Sequence, residues 1–303
     1  MLYERSERAG NYGGSCSVSL PPILSRAGLT SSQSRRKGVE VIDLHCHILP
    51  GLDDGPQDWE ESVQMARMAI KDSISGIVCT PHLTPVYPEN DRAAILASLE
   101  QFRSRLEQAH IPLELYPGAE LAIDPYLPER IDSGEIMSIN DTRCFALIEM
   151  PVEIIPPHLD RFFWSMQSKG VGIVLAHPER NSALMKDKSL LFKWVSAGVL
   201  VQITASSLEG EMGRSTRDFA IGLLERRMVH VVASDSHGPT RRRPALSAAR
   251  AVVESVIGKE EADKIFYDNP RRLLAGVEPD CAPPLLQSPG KTSFLKRLLP
   301  FRK

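Results

Sequence analysis

Seven short runs of apolar and β-branched residues recur along the chain, most of them separated by enough residues for a helix. They are VEVIDLH (39–45), GIVCTPH (76–82), LELYPGAE (113–120), FALIEM (145–150), GIVLAHPE (172–179), LVQITASS (200–207) and HVVASDSH (230–237). Continuous apolar runs of this length read as buried parallel strands. The stretches 89–109, 157–169, 187–197, 214–227, 244–257 and 259–267 have helical spacing instead. A first helix is expected after the first strand, with Pro56 near its first position and Asp58, Glu60 and Glu61 in its opening turns. Val63, Met65, Met68 and Ala69 would form its apolar side. Strand followed by helix, repeated seven times, predicts an α/β fold whose parallel sheet is closed or nearly closed into a seven-stranded barrel.

The two ends break this pattern. Residues 1–38 mix Ser, Gly, Arg and Pro without periodicity, a composition that buries too little apolar surface to offset ordering entropy, and they are expected to form a flexible leader. Residues 39–277 then make one folded domain, and 278–303 a Pro-rich linker followed by KTSFLKRLLPFRK. That last piece, basic and amphipathic, reads either as an anchor for an anionic membrane surface or an acidic partner, or as a solvated tail. A formal charge of −2 is not the footprint of a nucleic-acid binder, so no nucleic-acid partner is expected. The 5 cysteines include no CxxC pair, which argues for a reducing compartment and against disulfides or a thiolate metal site. With no apolar stretch long enough to span a bilayer and no signal-like N-terminus, the expected location is cytoplasmic.

What ends the strands points to the chemistry. His45 and His47 close the first, His82 the second, Glu120 the third, Glu149 the fourth, His177 the fifth, and Asp235 with His237 the seventh. In a parallel β/α barrel these ends share one rim, where such folds keep their active sites. Side chains alternate along a strand, so His45 and His47 face one way while Cys46 faces the other, and Asp235 and His237 repeat that logic. Taken singly, each has a bland explanation: a structural histidine, a turn residue, a paired carboxylate. Five of the 8 histidines on strand ends is harder to dismiss. His110, His158 and His230 are read as structural, and Asp53 as a turn or N-cap residue. Five imidazoles with Glu120, Glu149 and Asp235, and Asp54 if it joins them, exceed what one ion takes. Two or three divalent cations fit better, and such a cluster polarises phosphoryl oxygens and supplies hydroxide, implying phosphate-ester hydrolysis. Mixed N/O donors leave Mn, Fe, Zn and Mg as candidates, and the donors do not choose among them.

The order HCH, DDGP, TPH, GAE, LIE, AHPER and ASDSH, from Val41 to the DNPRRLL segment near 274, resembles the polymerase and histidinol phosphatase (PHP) superfamily. More narrowly it is similar to the bacterial CpsB/CapC-type protein tyrosine phosphatases associated with capsule and exopolysaccharide synthesis. That resemblance implies a PHP-type distorted (β/α)7 barrel with a metal cluster at its mouth. The matching ligand positions are His45, His47, Asp54, His82, Glu120, Glu149, His177, Asp235 and His237, with Glu120 bridging two ions. Arg180 of HPER matches an arginine that grips phosphate. RRRP supplies a second, with Arg242 and Arg243 both candidates and Arg243, before Pro244, preferred. The alternatives are an ion pair for Arg180 and a solvated loop for RRRP. No arginine follows any cysteine at C(x)5R spacing, so direct attack of hydroxide on phosphorus is implied rather than a phosphocysteine. The implied substrate is the phosphotyrosine-rich tail of a bacterial tyrosine autokinase, met at the inner face of the membrane, and homo-oligomers fit the same resemblance. The leader and the basic tail are additions to the compact family pattern, whose chains begin close to the first strand. Rival readings are hydrolysis of a small metabolite phosphate such as histidinol phosphate, nuclease action, and a non-catalytic metal-stabilised interaction module.

Overall fold

In the computed structural model, which describes residues 41–286, every strand pairing is parallel. The strands are β1 (Val41–Cys46), β2 (Ile74–Cys79), β3 (His82–Leu83), β4 (Glu114–Pro117), β5 (Glu120–Ala122), β6 (Phe145–Glu149), β7 (Gly172–Ala176), β8 (Leu200–Thr204) and β9 (Val231–Ala233). They form a three-stranded sheet ordered β1-β2-β4 and a six-stranded sheet ordered β3-β5-β6-β7-β8-β9. Each of the seven apolar runs contributes, but the second and third are interrupted. Residues 76–82 are divided between β2 and β3, and residues 113–120 between β4 and β5.

Both interruptions have local causes, and they fall at the same level of neighbouring strands. Pro81 has no N–H to give a ladder. Gly118 lies so close to β2 that a Cβ there would stand 2.6 Å from Val78 Cγ1. The two sheets stay stitched across the gap, with the Thr80 N–H donating to Cys46 O at 3.0 Å and the Glu120 N–H to Pro81 O at 3.1 Å.

The first strand also meets the chain that leaves the last one. Buried Asp43 accepts the Ser234 N–H at 2.9 Å and the Ser234 hydroxyl. Asp235 N–H donates to His45 O at 2.8 Å, and His47 N–H to Ser236 O at 2.9 Å. The strands carry the core between the helices and each other, as buried Leu44, Ile77, Leu121, Ile148, Leu175 and Ile203 attest.

The helices begin where capping chemistry allows. The first spans Trp59–Lys71, with the Asp58 side chain accepting the N–H groups of Glu60 and Glu61. Pro56 therefore lies before the helix, in the turn that leads to it, rather than near its first position. Met65 and Ala69 are buried as expected, whereas Val63 and Met68 are only half-buried. The run 200–207 is strand only to Thr204, because Ala205–Glu209 turns into a short helix closed by Gly210 at φ +90°. The stretch 259–267 divides into Lys259–Asp263, a π-turn over Lys264–Asp268, and a further helix, Asn269–Leu274. The expected leader and the basic segment KTSFLKRLLPFRK lie outside the described residues. Within the expected linker, the Leu285 N–H donates to Arg226 O at 2.8 Å. Among the described residues no helix is long and apolar enough to cross a membrane.

Candidate active site

The strand ends converge. His45 lies in β1 and His47 two residues on, facing the same side; His82 opens β3, Glu120 opens β5, and Glu149 ends β6. His177 and Asp235 follow β7 and β9 in left-handed conformations, φ +31° and +51°, where histidine and aspartate are tolerated at some cost. These turns aim both side chains back over the strand ends. The His177 turn also leads into the 3-10 turn Pro178–Arg180, which carries Arg180 to the same place.

Glu120 is the centre. Its Oε2 stands 3.2 Å from His45 Nε2, 3.3 Å from His47 Nε2 and 3.1 Å from His82 Nδ1, and its Oε1 stands 2.9 Å from His177 Nε2. Asp235 Oδ1 lies 3.3 Å from His45 Nε2. Glu149 approaches His82 Nδ1 at 3.7 Å and His177 Nε2 at 3.8 Å. On the solvent side Asp54 Oδ1 lies 3.2 Å from His237 Nε2 and 3.6 Å from His82 Nε2. All nine residues singled out from the strand ends and the DDGP turn fall into four overlapping groups whose donor atoms lie within 4.8 Å of one another.

The tautomers show what the cluster lacks. His47 Nδ1 is 2.6 Å from Asp53 Oδ2, His45 Nδ1 is 2.9 Å from Gln202 Oε1, and His237 Nδ1 is 3.0 Å from the Asp235 carbonyl. Each of these oxygens can only accept, so each Nδ1 carries a proton and, in the neutral ring, each Nε2 presents a lone pair. The Nε2 atoms of His45 and His47 then face each other at 3.1 Å and face carboxylate oxygens beyond. Lone pairs gathered this way call for positive charge between them. His82 Nδ1 and Asp235 Oδ1 are, in addition, buried without a hydrogen-bond partner. Nitrogen and oxygen donors without thiolates, with orphaned atoms among them, fit divalent cations.

Electrostatics without cations agree. Burial alone would depress His47, but the hydrogen bonds to Asp53 and Glu120 outweigh it and hold the ring up at about 10. His45 is raised likewise, the charges of Glu120 and Asp235 overcoming its burial. Burial would lift the carboxyls of Glu120 and Asp235, yet the neighbouring imidazoles, His45 foremost, hold both down, with Arg180 and Arg242 adding to the effect at Asp235. Glu149 is raised by burial and by the charge of Glu120. His237 holds Asp54 down at about 2. The site thus keeps Glu120 and Asp235 ionised and draws protons onto His45 and His47, while burial pushes His82 and His237 the other way.

Two guanidiniums border the cluster. Arg180 Nη2 lies 2.6 Å from Asp235 Oδ2 and donates to Thr204 Oγ1 at 2.9 Å, so the ion pair weighed as its alternative reading is present. Arg242 Nη2 also donates to Asp235 Oδ2. The Nε groups of both arginines are buried without a partner, leaving donors for an anion. Arg243, the preferred of the two candidates, is exposed, and its charge acts on Glu209. Arg242 is left-handed, at φ +49°, and its side chain is the one of the two that reaches Asp235.

Sequence reasoning missed the supports. Asp53, read as a turn or cap residue, does accept the Gly55 N–H at 3.0 Å. It also holds His47 and accepts the His82 N–H at 2.9 Å, tying two donor-bearing segments together. Gln202 had a signal: one amide inside LVQIT, a strand buried at every position. Buried Glu179 of HPER accepts the Thr204 N–H and the Ser207 hydroxyl, both at 2.8 Å, and so fixes the end of β8 beside Arg180. His230 is structural as expected, its Nδ1 accepting the Val201 N–H at 2.9 Å.

Comparison with known proteins follows the same line. Residues 41–275 match the family described as capsular polysaccharide synthesis, CpsB/CapC. The tyrosine-protein phosphatase YwqE of Bacillus subtilis (strain 168) is 37% identical over 220 residues, 73% of this chain and 86% of that protein. A putative tyrosine-protein phosphatase CapC of Staphylococcus aureus is 35% identical over 202 residues, 67% of this chain and 79% of that protein. Among solved structures, one reported with the crystal structures of YwqE from Bacillus subtilis and CpsB from Streptococcus pneumoniae, "unique metal-dependent tyrosine phosphatases", matches with a TM-score of 0.77. It is 36% identical and covers 80% of this chain and 98% of that one. On the extent of these matches, the chain belongs to the CpsB/CapC family.

Proposed function

We propose that the chain is a metal-dependent protein tyrosine phosphatase of PHP type. It would remove phosphate from phosphotyrosine on a bacterial tyrosine autokinase that regulates capsular and exopolysaccharide synthesis. The observation that carries this reading is the nine-donor cluster around Glu120, bordered by the unpartnered Nε donors of Arg180 and Arg242. The bonds joining β1 to the residues after β9 support a distorted seven-stranded barrel, with the cluster at its mouth.

Two or three divalent ions, Mn foremost, would be held by His45, His47, Asp54, His82, Glu120, Glu149, His177, Asp235 and His237. Bound there, they would neutralise phosphoryl charge and lower the pKa of water. The chain's own part is orientation. Asp53 and Gln202 lock the tautomers of His47 and His45, and Asp235 holds both guanidiniums at the edge, where their free N–H groups can take equatorial phosphate oxygens. A cysteine nucleophile is disfavoured on physical grounds, because Cys46 and Cys79 are buried and burial pushes both thiols up. The enzyme would work in the cytoplasm at the inner face of the membrane, as a monomer or homo-oligomer, with residues 291–303 contacting lipid. Truncation after 286 that left membrane fractionation unchanged would remove that last element.

The deciding experiment offers the Mn-loaded full chain a phosphotyrosyl peptide, histidinol phosphate and single-stranded DNA. Chelator-sensitive hydrolysis of the peptide, well above the other two, is expected. Preference for histidinol phosphate would move the chain to the metabolite-phosphatase alternative.

A further inference from the structure

Beside the cluster lies a cleft of about 400 Å³ between two segments, residues 83–90 from the end of β3 onward and 121–127 from β5 onward. It begins one residue beyond the site, since Leu83 follows His82, Leu121 follows Glu120, and both leucines line it. Tyr87 belongs to both spaces: its ring lines the cleft and lies parallel to that of His82, at 3° with 5.9 Å between centroids. The remaining walls are largely apolar, including Ile123, Leu127 and Ile136. Of the two charged lining groups, Arg130 pairs with Asp124 at 3.1 Å and also with Glu135 at 2.6 Å.

The cleft is preformed. Asn90 Nδ2 donates to Leu52 O at 2.7 Å and to His82 O at 2.8 Å, pinning one loop to the strand that carries a donor. The Leu127 N–H donates to Asp124 O at 3.0 Å and the Tyr126 N–H to Asp124 Oδ1 at 2.9 Å, fixing the other. Val86 and Tyr126, each next in the chain to lining residues of its own loop, are 75% and 70% exposed. Large apolar side chains held in water on both loops that bound a rigid cleft gain from being covered.

We propose that this cleft seats the polypeptide beside the phosphorylated tyrosine and takes an apolar side chain one or two positions away from it. The inference rests on the tyrosine phosphatase reading. It adds that substrates are selected by an apolar neighbour, not by the phosphoryl group alone. An extended peptide with its phosphate at the cluster would carry neighbouring side chains a few ångströms along, the scale of the offset between site and cleft. A largely apolar lining, its one cation already paired, would favour Leu or Ile there over Asp or Gly.

The test uses the Mn-loaded full chain with phosphotyrosyl peptides carrying Leu, Gly or Asp at each position from two before to two after the phosphotyrosine. p-Nitrophenyl phosphate serves as the reference. For at least one position KM should fall about tenfold from Gly to Leu. Ile123→Trp, which fills the cleft, should erase that preference in kcat/KM taken relative to the reference substrate. Val86→Asp, at an exposed position that does not threaten folding, should weaken it about threefold. Equal KM across the peptides, or a preference that survives both variants, would overturn the cleft while leaving the phosphatase reading intact. Hydrolysis of p-nitrophenyl phosphate with no cleavage of any phosphotyrosyl peptide would overturn both.

Discussion

His45, His47, Glu120 and Asp235 expose at most 1% of their side chains, whereas Asp54, Glu149 and His82, across the same cluster, expose 51, 28 and 14%. The closed half has no water to share its charge, so each ring needs a second partner, and the chain supplies Asp53 and Gln202 to serve His47 and His45. The open half keeps part of its hydration and has fewer such supports. The closed half should therefore govern whether cations are retained and how far they stabilise the fold. The open half should govern how water and substrate reach them.

The largest effect tests that division directly. Glu120→Gln removes the central charge of the closed half, and turnover of a phosphotyrosyl peptide should fall about a thousandfold. In the parent chain a chelator should lower Tm, because cations bound only to the folded state stabilise it; in Glu120→Gln that chelator response should vanish. Glu149→Gln, on the open side, should cost about ten- to a hundredfold in turnover and keep most of the chelator response. Equal behaviour of the two would erase the distinction. The adjacent aspartates sharpen it. Asp53→Asn should weaken metal affinity about ten- to a hundredfold by freeing the His47 tautomer, read by titration with a metal indicator. Asp54→Asn should lower kcat with a smaller change in affinity.

How much of this was legible depended on whether a residue's role was set along its own strand or by a neighbour. His45, His47, His82, Glu120, Glu149, His177, Asp235 and His237 could be read because an apolar run ending in a donor already says which end of the strand is wet. Asp53 and Asp54 could not be ranked that way: they are consecutive in one tight turn, and which faces inward depends on backbone geometry that Gly55 and His82 complete. Arg242 and Arg243 could not be ranked because nothing in RRRP announces a left-handed arginine. Pro81 and Gly118 were visible letters, but the break they cause arises only when β2 lies within 2.6 Å of the position a side chain would occupy. The seven-run pattern anticipated the parallel order, while the division into two sheets came from contacts between strands.

The arginines give the next largest effect. Arg242→Ala should lower kcat/KM about a hundredfold by removing a donor from the cluster's edge, while Arg243→Ala should stay within about twofold. Comparable losses would mean that the loop rearranges when substrate binds.

The smallest effect at working pH belongs to His230, which immediately precedes β9 and separates the fold's own acid sensitivity from the site's. Burial holds its ring down at about 4, against an ordinary value of 6.5, and in the neutral form its Nδ1 accepts the Val201 N–H. The unfolded chain therefore binds a proton that the folded chain refuses between those two values, and stability falls with falling pH across that window. The contribution is fully present above about pH 6.5 and declines by up to about 3 kcal/mol as pH approaches 4. His230→Gln keeps an acceptor for Val201 but has nothing to titrate, so its denaturation midpoint should depend less steeply on pH over that range, with activity near neutrality retained. Chelated protein should show the same difference between parent and variant, because the ring touches none of the donors. If the difference appeared only with metal bound, this buried histidine and the cluster would be coupled, and the separation of floor from rim would not hold.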